Sequence, residues 1–507
     1  MLTNLISYFE NTVSLNARKT AVIDAERSID FLELSQKVKV LACEIIRVTG
    51  SVSKPVAVFL PKSIESTISD IAITYSGNIY MNVDVKSPLA RINNILELIE
   101  PVLIITNNTN AQLLNQLEYK CDVINLDTFN FDNVIDESSL SRVFNTIIDT
   151  DPFCIINTSG STGTPKGVVL NQRSFIDFTE WAIETLQITD NEIVGSLSPI
   201  VFDIYSFELC MLMAKGSTLV LIPEQTSAYP AVILELLQSK KISFIFWVPT
   251  IMVNMANMDL LSHFELPELK TIWFAGEVFP TKQFNYWKNN LPDAKFVNLY
   301  GPIEITLDCT YFIVNRELKD EEPIPIGFPC YNTDILILND KNQLVVENEE
   351  GELCVRGSSL AMGYYNNPEK TADVFVQNPL NKNYPETIYR TGDMVHRNEL
   401  GEIIFKGRKD NLVKHLGYRI ELGEIEHVIV NTLKIVDNAC VVYNKLKKAI
   451  TVFYESKSEI PVAKFRKTLT SVFPKYMVPT LYIHMTLLPR NNNGKIDRLV
   501  LSKRINE

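Results

Sequence analysis

Short apolar runs alternate with longer amphipathic stretches along most of this chain. The runs at 55–60, 102–105, 153–156, 217–222, 243–248 and 270–274 read as strands. Between several of them, the stretches 63–75, 90–99, 204–215 and 231–239 repeat apolar residues at helical spacing, as does the N-terminal segment 1–17. This alternation predicts layered α/β architecture with largely parallel sheets. After Ile324 the pattern changes to short strands with frequent turns, at 334–338, 351–356 and 402–405, which predicts a smaller β-rich subdomain. A boundary is expected at 407–410. The remainder, roughly a hundred residues and a typical small-domain length, reads as β, a helix at 422–433, strands at 438–443 and 450–454, a helix at 462–472 and a polar tail. The expected fold is therefore mixed α/β and α+β: a large N-terminal domain, 1–406, built of layered α/β subdomains plus the β-rich one, and a small α+β C-terminal domain, 407–507.

Composition narrows the class. A chain of 507 residues is too long for one core, and its 46% hydrophobic and 21% charged content is that of an ordinary globular protein. The net charge of −12 argues against a general nucleic-acid binder, because no basic surplus exists to neutralise phosphates. The eight cysteines show no C-x-x-C spacing and the five histidines no H-x-x-x-H, so neither a disulfide framework nor a zinc site is expected. Buried free thiols in a reducing compartment fit better. No signal peptide and no apolar run of transmembrane length is found, which leads to the expectation of a cytoplasmic protein without membrane insertion.

The apolar run ending at Ile156 delivers the backbone into Asn157, Thr158, Ser159, Gly160, Ser161, Thr162, Gly163, Thr164, Pro165, Lys166 and Gly167. Such a loop turns many N–H and hydroxyl donors toward one anion, and its glycines permit close approach. It differs from the Walker loop, which opens a helix at its lysine. Here Pro165 precedes the lysine and Gly167 follows it. Taken alone, the loop reads equally as a flexible surface segment.

Further clusters follow in order: Tyr300, Gly301, Pro302, Ile303 and Glu304; the run 351–357 leading to Gly363, Tyr364 and Tyr365; Arg390, Thr391, Gly392 and Asp393; Arg408, Lys409 and Asp410; Lys414 to Glu426; and Asn493, Gly494, Lys495, Ile496, Asp497 and Arg498. Each alone is an ordinary turn, cap or solvated tail. Together and in this order they resemble the adenylate-forming (ANL) superfamily of acyl-CoA synthetases, luciferases and the adenylation domains of nonribosomal peptide synthetases. The resemblance runs from the residues 31–34 to Arg498. The amino-acid-activating branch fits best, especially stand-alone enzymes similar to D-alanine–carrier-protein ligase. Its signs are Phe202 with Asp203, the trio Gly276, Glu277 and Val278, the run 415–419, and a chain ending nine residues after Arg498.

The resemblance implies two reactions in one site. A substrate carboxylate attacks the α-phosphate of ATP, and a phosphopantetheine thiol on a separate carrier protein then takes the acyl group. It implies that Thr158, Ser159, Gly160, Ser161, Thr162, Gly163 and Lys166 embrace phosphates. Tyr300 stacks on adenine, Glu304 holds Mg²⁺, Asp393 binds the ribose hydroxyls and Arg408 assists there. Lys495 bridges the substrate carboxylate and the α-phosphate, where the meeting of two anions needs a cation. Asp203 holds the substrate's α-ammonium, although it also stands where it would cap the helix at 204–215. Ile204, Phe207, Trp247, Trp273, Ala275, Leu299, Leu307 and Asp308 line the side-chain pocket. Two tryptophans pointing inward would leave room only for a small or compact amino acid, and a buried Asp308 needs a partner, so a polar substrate such as serine is preferred over D-alanine. Asp410 is the expected hinge about which a mobile C-terminal domain swings, and Gly417 is expected to line the thiol tunnel. One departure stands out: Ile303 replaces the family's usual Thr. Loss of that hydrogen bond would cost on the order of 1.5–3 kcal/mol unless a neighbour such as Thr306 compensates. Two rivals remain, an acyl- or aryl-CoA synthetase and a catalytically weak nucleotide-binding homologue.

Overall fold

A computed structural model describes residues 4–25, 27–159, 165–409, 412–436, 438–444, 447–456, 458–490 and 496–506. Gly160, Ser161, Thr162, Gly163, Asp410 and Lys495 lie outside the described residues.

Two large sheets organise the N-terminal part. The first has nine strands in the order Phe328–Pro329, Thr310–Ile313, Lys295–Tyr300, Thr271–Phe274, Phe244–Trp247, Ile193–Ser196, Thr218–Leu221, Thr20–Asp24 and Arg27–Asp30. Its centre is parallel, and antiparallel strands close both edges. The second has seven strands, with Pro55–Phe59, Ile79–Asn82, Leu103–Thr106 and Asp122–Asn125 parallel, and Pro152–Thr158 leading into an antiparallel hairpin with Lys166–Asn171. One continuous core joins the facing sides of both sheets through the helices between them, among them Phe31–Thr49, Ile64–Tyr75, Gln172–Leu186 and Asp203–Lys215. Helices Pro230–Ser239, Pro249–Asn257 and Thr281–Asn290 cover the outer face of the first sheet, and Leu89–Ile99 covers that of the second. The result is five layers.

The sequence pattern explains the placement of these elements. Helix Asp203–Lys215 is sandwiched between two sheets, and every residue from 204 to 213 is buried. A helix in that position is apolar all round rather than along one stripe. Helix Ile64–Tyr75 starts at a capping box formed by Ser63 and Ser66. The N-terminal helical spacing appears as Leu5–Asn16, capped by Asn4. All eight cysteines are free thiols, six of them buried.

The short strands after Ile324 form a five-stranded antiparallel sheet centred on Gly351–Gly357 and Thr387–Arg397. Strand Ile403–Arg408 pairs as far as Asp393↔Arg408, so that sheet reaches one residue past 407. The C-terminal part follows as the hairpin Leu412–His415 and Tyr418–Glu421, then a three-stranded sheet with its own core. The expected helix at 422–433 is α-helical only over Leu422–His427 and widens to a π-turn over Val428–Thr432. Among the described residues, no helix is long and apolar enough to cross a membrane.

Gly301 shows how tightly the end of the first sheet is folded. A Cβ there would sit 2.2 Å from the Leu307 carbonyl oxygen, a backbone atom that no rotamer change can move. We expect Gly301→Ala to cost about 1–3 kcal/mol, the range for overpacking, read as a lower urea midpoint at unchanged m-value.

Candidate active site

The C-terminal ends of the central strands of the first sheet meet the β-rich subdomain and the C-terminal hairpin. Open parallel sheets bind ligands at such ends. Strand Lys295–Tyr300 delivers Tyr300 into a buried position, where its hydroxyl donates to Asp393 Oδ2. The other carboxylate oxygen, Asp393 Oδ1, accepts from Arg408 Nη1 at 2.6 Å. Burial, with the Asp393 charge beside it, pushes the Tyr300 phenol well above its ordinary range, so it remains a donor. Tyr300, Asp393 and Arg408 are thus one linked group.

Just beyond Tyr300 a short 3₁₀ turn, Ile303–Ile305, carries Glu304. Its side chain is 1% exposed and both oxygens are occupied: Tyr364 donates to Oε1 at 2.7 Å and Arg419 to Oε2 at 2.5 Å. Burial alone would raise its pKa. The Arg419 guanidinium, the Tyr364 hydroxyl and its own backbone N–H more than offset that and hold it below the usual range. Ile303 packs against the main core, and the Thr306 hydroxyl is buried without a hydrogen bond among the described residues.

Strands Pro152–Thr158 and Lys166–Asn171 bring Thr158, Ser159 and Lys166 to the same place. Ser159 Oγ donates to the Arg419 carbonyl at 2.7 Å and accepts from the Glu421 N–H at 3.1 Å. Lys166 Nζ donates to Glu421 Oε1 at 2.8 Å and lies over the Tyr364 ring.

The expected pocket residues divide. Ile204, Phe207, Trp273, Ala275, Leu299 and Leu307 share one core cluster, with Phe207 stacked on Trp273 at 5.5 Å. Trp247 does not join them. In the sheet register Trp247 is level with Phe274 and Trp273 with Phe246, so the two tryptophans face opposite sides. Trp247 packs in the outer core and donates to the Gly195 carbonyl at 2.9 Å. Asp203 is the first residue of its helix rather than its cap, a place taken by Phe202, and its side chain accepts only from the adjacent Ile204 N–H at 3.0 Å. Burial raises its pKa to about 6, against the pull of that N–H and of Lys414. Burial and then the Asp203 charge push Asp308 well above the carboxylate range. Asp308 is 3% exposed, and the Trp273 indole N–H has no partner among the described residues.

Gly417 sits in the two-residue turn of the C-terminal hairpin. Leu416 and Gly417 have φ of 54° and 82°, the positive pair that such a turn requires. The Gly417 N–H donates to Glu277 at 2.8 Å, and Glu277 also accepts from the Thr250 N–H. Gly417 borders a cavity of about 890 Å³ walled by Phe202, Trp247, Val248, Tyr418 and Tyr476 among others. Tyr418 stacks on Tyr476 and tilts against Phe202, which ties hairpin, C-terminal domain and N-terminal part together.

Arg419, Glu421, Tyr364 and Glu277 are the functional candidates that received no role from the sequence. Each lies in a motif noticed there, but its partner is distant along the chain. Among the described residues no three His, Cys, Asp or Glu side chains gather to hold a metal. A single buried carboxylate such as Glu304 nevertheless suits Mg²⁺, which takes one or two carboxylates together with phosphate oxygens. The hydroxyl and lysine set around Ser159 and Lys166 suits those phosphates.

A family model described as AMP-binding enzyme matches residues 9–365. Tyrocidine synthase 1 of Brevibacillus parabrevis is 30% identical over 496 residues, covering 97% of this chain and 44% of that protein. The chain thus spans less than half of that much longer relative. Zwittermicin A synthase ZmaJ of Bacillus cereus is 29% identical over 512 residues, covering 99% of this chain and 95% of that one. Among solved structures, the Vibrio cholerae adenylation domain AlmE in complex with glycyl-adenosine-5'-phosphate superposes with a TM-score of 0.85 at 19% identity, covering 99% of this chain and 98% of that one.

Tyr300→Phe leaves Asp393 short of one buried donor. We expect a stability loss of about 1.5–3 kcal/mol, the scale of a hydrogen bond to a charged group, measured by urea denaturation. An unchanged midpoint would mean that the pair is not formed in solution.

Proposed function

The chain belongs to the AMP-binding enzyme family, and from that premise we propose that it activates an amino acid with ATP and passes it to a phosphopantetheine thiol on a carrier protein. The observation that carries the amino-acid reading is Asp203. A simple carboxylic acid brought beside this carboxylate would meet only repulsion, whereas the α-ammonium of an amino acid neutralises it. In this reading Ser159 and Lys166, with the loop between them, hold the β- and γ-phosphates. The Tyr300 ring forms a wall for adenine. Asp393, already oriented by Tyr300 and Arg408, accepts from the ribose hydroxyls. Glu304 is the Mg²⁺ ligand, and the metal's contribution is to neutralise phosphate charge. Lys495 approaches from the C-terminal domain, hinged near Asp410, and offsets the charge that accumulates as carboxylate meets α-phosphate.

A small substrate with a side-chain hydroxyl, such as serine, suits the pocket best. The stacked Phe207 and Trp273 leave little depth. A hydroxyl both donates and accepts, which answers the buried Asp308 and an indole N–H that lacks a partner among the described residues. The cavity beside Gly417 supports the second step, since it offers a thiol-bearing arm a path between hairpin and sheet. Its wall is completed by the C-terminal domain.

The deciding experiment is substrate-dependent ATP–pyrophosphate exchange over a panel of amino acids and simple acids. We expect exchange with a small hydroxylated amino acid, its loss in Lys495→Ala, and a strongly raised amino-acid KM in Asp203→Ala. Exchange only with simple acids would favour a CoA synthetase, and none at all a nucleotide-binding homologue.

The pH dependence follows from the Asp203 shift. Its carboxylate must be ionised to pair with an ammonium, so affinity is fully present above about 6 and falls as pH drops through that value. From pH 7 to pH 5 the amino-acid KM should rise about tenfold, with the ATP KM as control. A flat profile would remove Asp203 from the ammonium role.

A further inference from the structure

Helix Asp203–Lys215 is buried on all sides over residues 204 to 213, so no single apolar stripe fixes its rotation. At about 100° per residue, Asp203, Ile204 and Phe207 fall on one face and Tyr205, Ser206 and Glu208 on the opposite one. The first face carries residues proposed for the amino acid. The second meets polar groups from the second sheet and from the helix after its strand Pro55–Phe59. The Tyr205 hydroxyl lies 3.3 Å from that of Thr67, and Tyr80 donates its hydroxyl proton to Ser206 Oγ at 2.7 Å. Such buried polar pairs specify one orientation of an otherwise featureless helix. Glu208 is fully buried, and neither of its oxygens is hydrogen-bonded among the described residues. The charge that offsets its burial is that of Lys62. Lys62 also reaches the start of the same segment: its Nζ donates to the Ser196 carbonyl at 2.7 Å and to the Ser198 carbonyl at 2.8 Å. These carbonyls begin the crossover from strand Ile193–Ser196 to Asp203. Pro199, Ile200, Val201 and Phe202 of that crossover border the cavity of about 890 Å³, as Lys62 does. Backbone beside a cavity lacks packing partners on that side.

We infer that Lys62 is a positioning residue for the amino acid. Its ammonium clamps the crossover through two carbonyls while its charge meets Glu208, so one side chain holds both ends of the segment 196–208 that carries Asp203. Lys62 acts in this way within the proposed amino-acid activation, in which Asp203 takes the α-ammonium and on which the inference rests. Lysine suits the task because one ammonium carries three protons and no acceptor. Two of them serve the carbonyls, and the full charge remains for Glu208. Neither Lys62 nor Glu208 touches the amino acid in this arrangement. Without the clamp, the crossover is free to shift toward the cavity and to carry Asp203 with it. A displacement of about 1 Å in a positioning group costs up to roughly a hundredfold. The residues proposed for ATP, among them Lys166, Tyr300 and Asp393, stand on other strands, so the effect is confined to the amino acid.

The test uses the full chain in ATP–pyrophosphate exchange, with serine as probe, or whichever amino acid of the panel gives the fastest exchange in the parent protein. In Lys62→Met the amino-acid KM should rise roughly tenfold or more, the scale of one lost hydrogen bond to a charged group, while the ATP KM stays within about twofold. That variant leaves Glu208 buried without its counter-charge, which is strongly destabilising. Lys62→Met combined with Glu208→Gln removes both charges and is expected to recover the urea midpoint. The clamp is still missing there, so the amino-acid KM should remain raised roughly tenfold. A merely structural role predicts instead that affinity returns with stability. A double variant with the parent KM for the amino acid therefore overturns the inference, and so do equal rises in the amino-acid and ATP KM values. Failure of the underlying reading looks different: no amino acid supports exchange in the parent protein, and the role of Lys62 then falls with it.

Discussion

Glu304 is the constraint around which the site is arranged. A carboxylate that is 1% exposed stays ionised only if its surroundings replace the water it has lost. Tyr364 and Arg419 do so from opposite ends of the fold, one from the short strand beside Lys166–Asn171 and the other from the C-terminal hairpin. The position of the C-terminal domain is thereby tied to the charge state of one residue in the large domain. Lys166 repeats the arrangement with the opposite sign. Losing the Arg419 charge with the hairpin still in place would leave Glu304 buried without its counter-charge.

The five-layer architecture makes such burial feasible. Helix Asp203–Lys215, buried on every side, fills the gap between two sheets and sets its N-terminus at the open ends of the strands. Asp203 is the one residue of its first turn that keeps a charge, and the helix N-terminus lowers the cost of keeping it there. The same helix carries Glu208 into the interior, where burial raises it to about 7, while the buried Lys62 beside it is lowered to about 8. Lys62 is anchored by the carbonyls of Ser196 and Ser198 and also borders the cavity. Backbone carbonyls thus take up the buried Lys62 ammonium, whereas burial moves Glu208, neither of whose oxygens is hydrogen-bonded among the described residues, toward its neutral form.

Much of the architecture was legible in the chain. The apolar runs at 55–60, 153–156, 243–248 and 270–274 all became central strands, because strands buried on both faces need continuous apolar sequence. The change of pattern after Ile324 corresponds to the antiparallel sheet. The orientation of side chains was less legible. Trp247 ends its strand and Trp273 is the last residue but one of the adjacent parallel strand, and that offset of one residue sends them to opposite faces. Nothing in either strand alone reveals that register. The pairings of Glu304 with Arg419 and of Lys166 with Glu421 span 115 and 255 residues. Their motifs were visible, but partnership depends on how two domains meet.

Ile303 illustrates a further limit. Its apolar side chain packs against the main core, and the neighbouring Thr306 hydroxyl is buried without a partner rather than turned to a ligand by any bond among the described residues. Lys166 is paired with Glu421, and Glu304 with Arg419 and Tyr364, so neither charge is bare in this structure. In the proposed reaction, ligands that replaced these partners like for like would keep the two arrangements close in free energy, the condition for a domain that moves in each cycle.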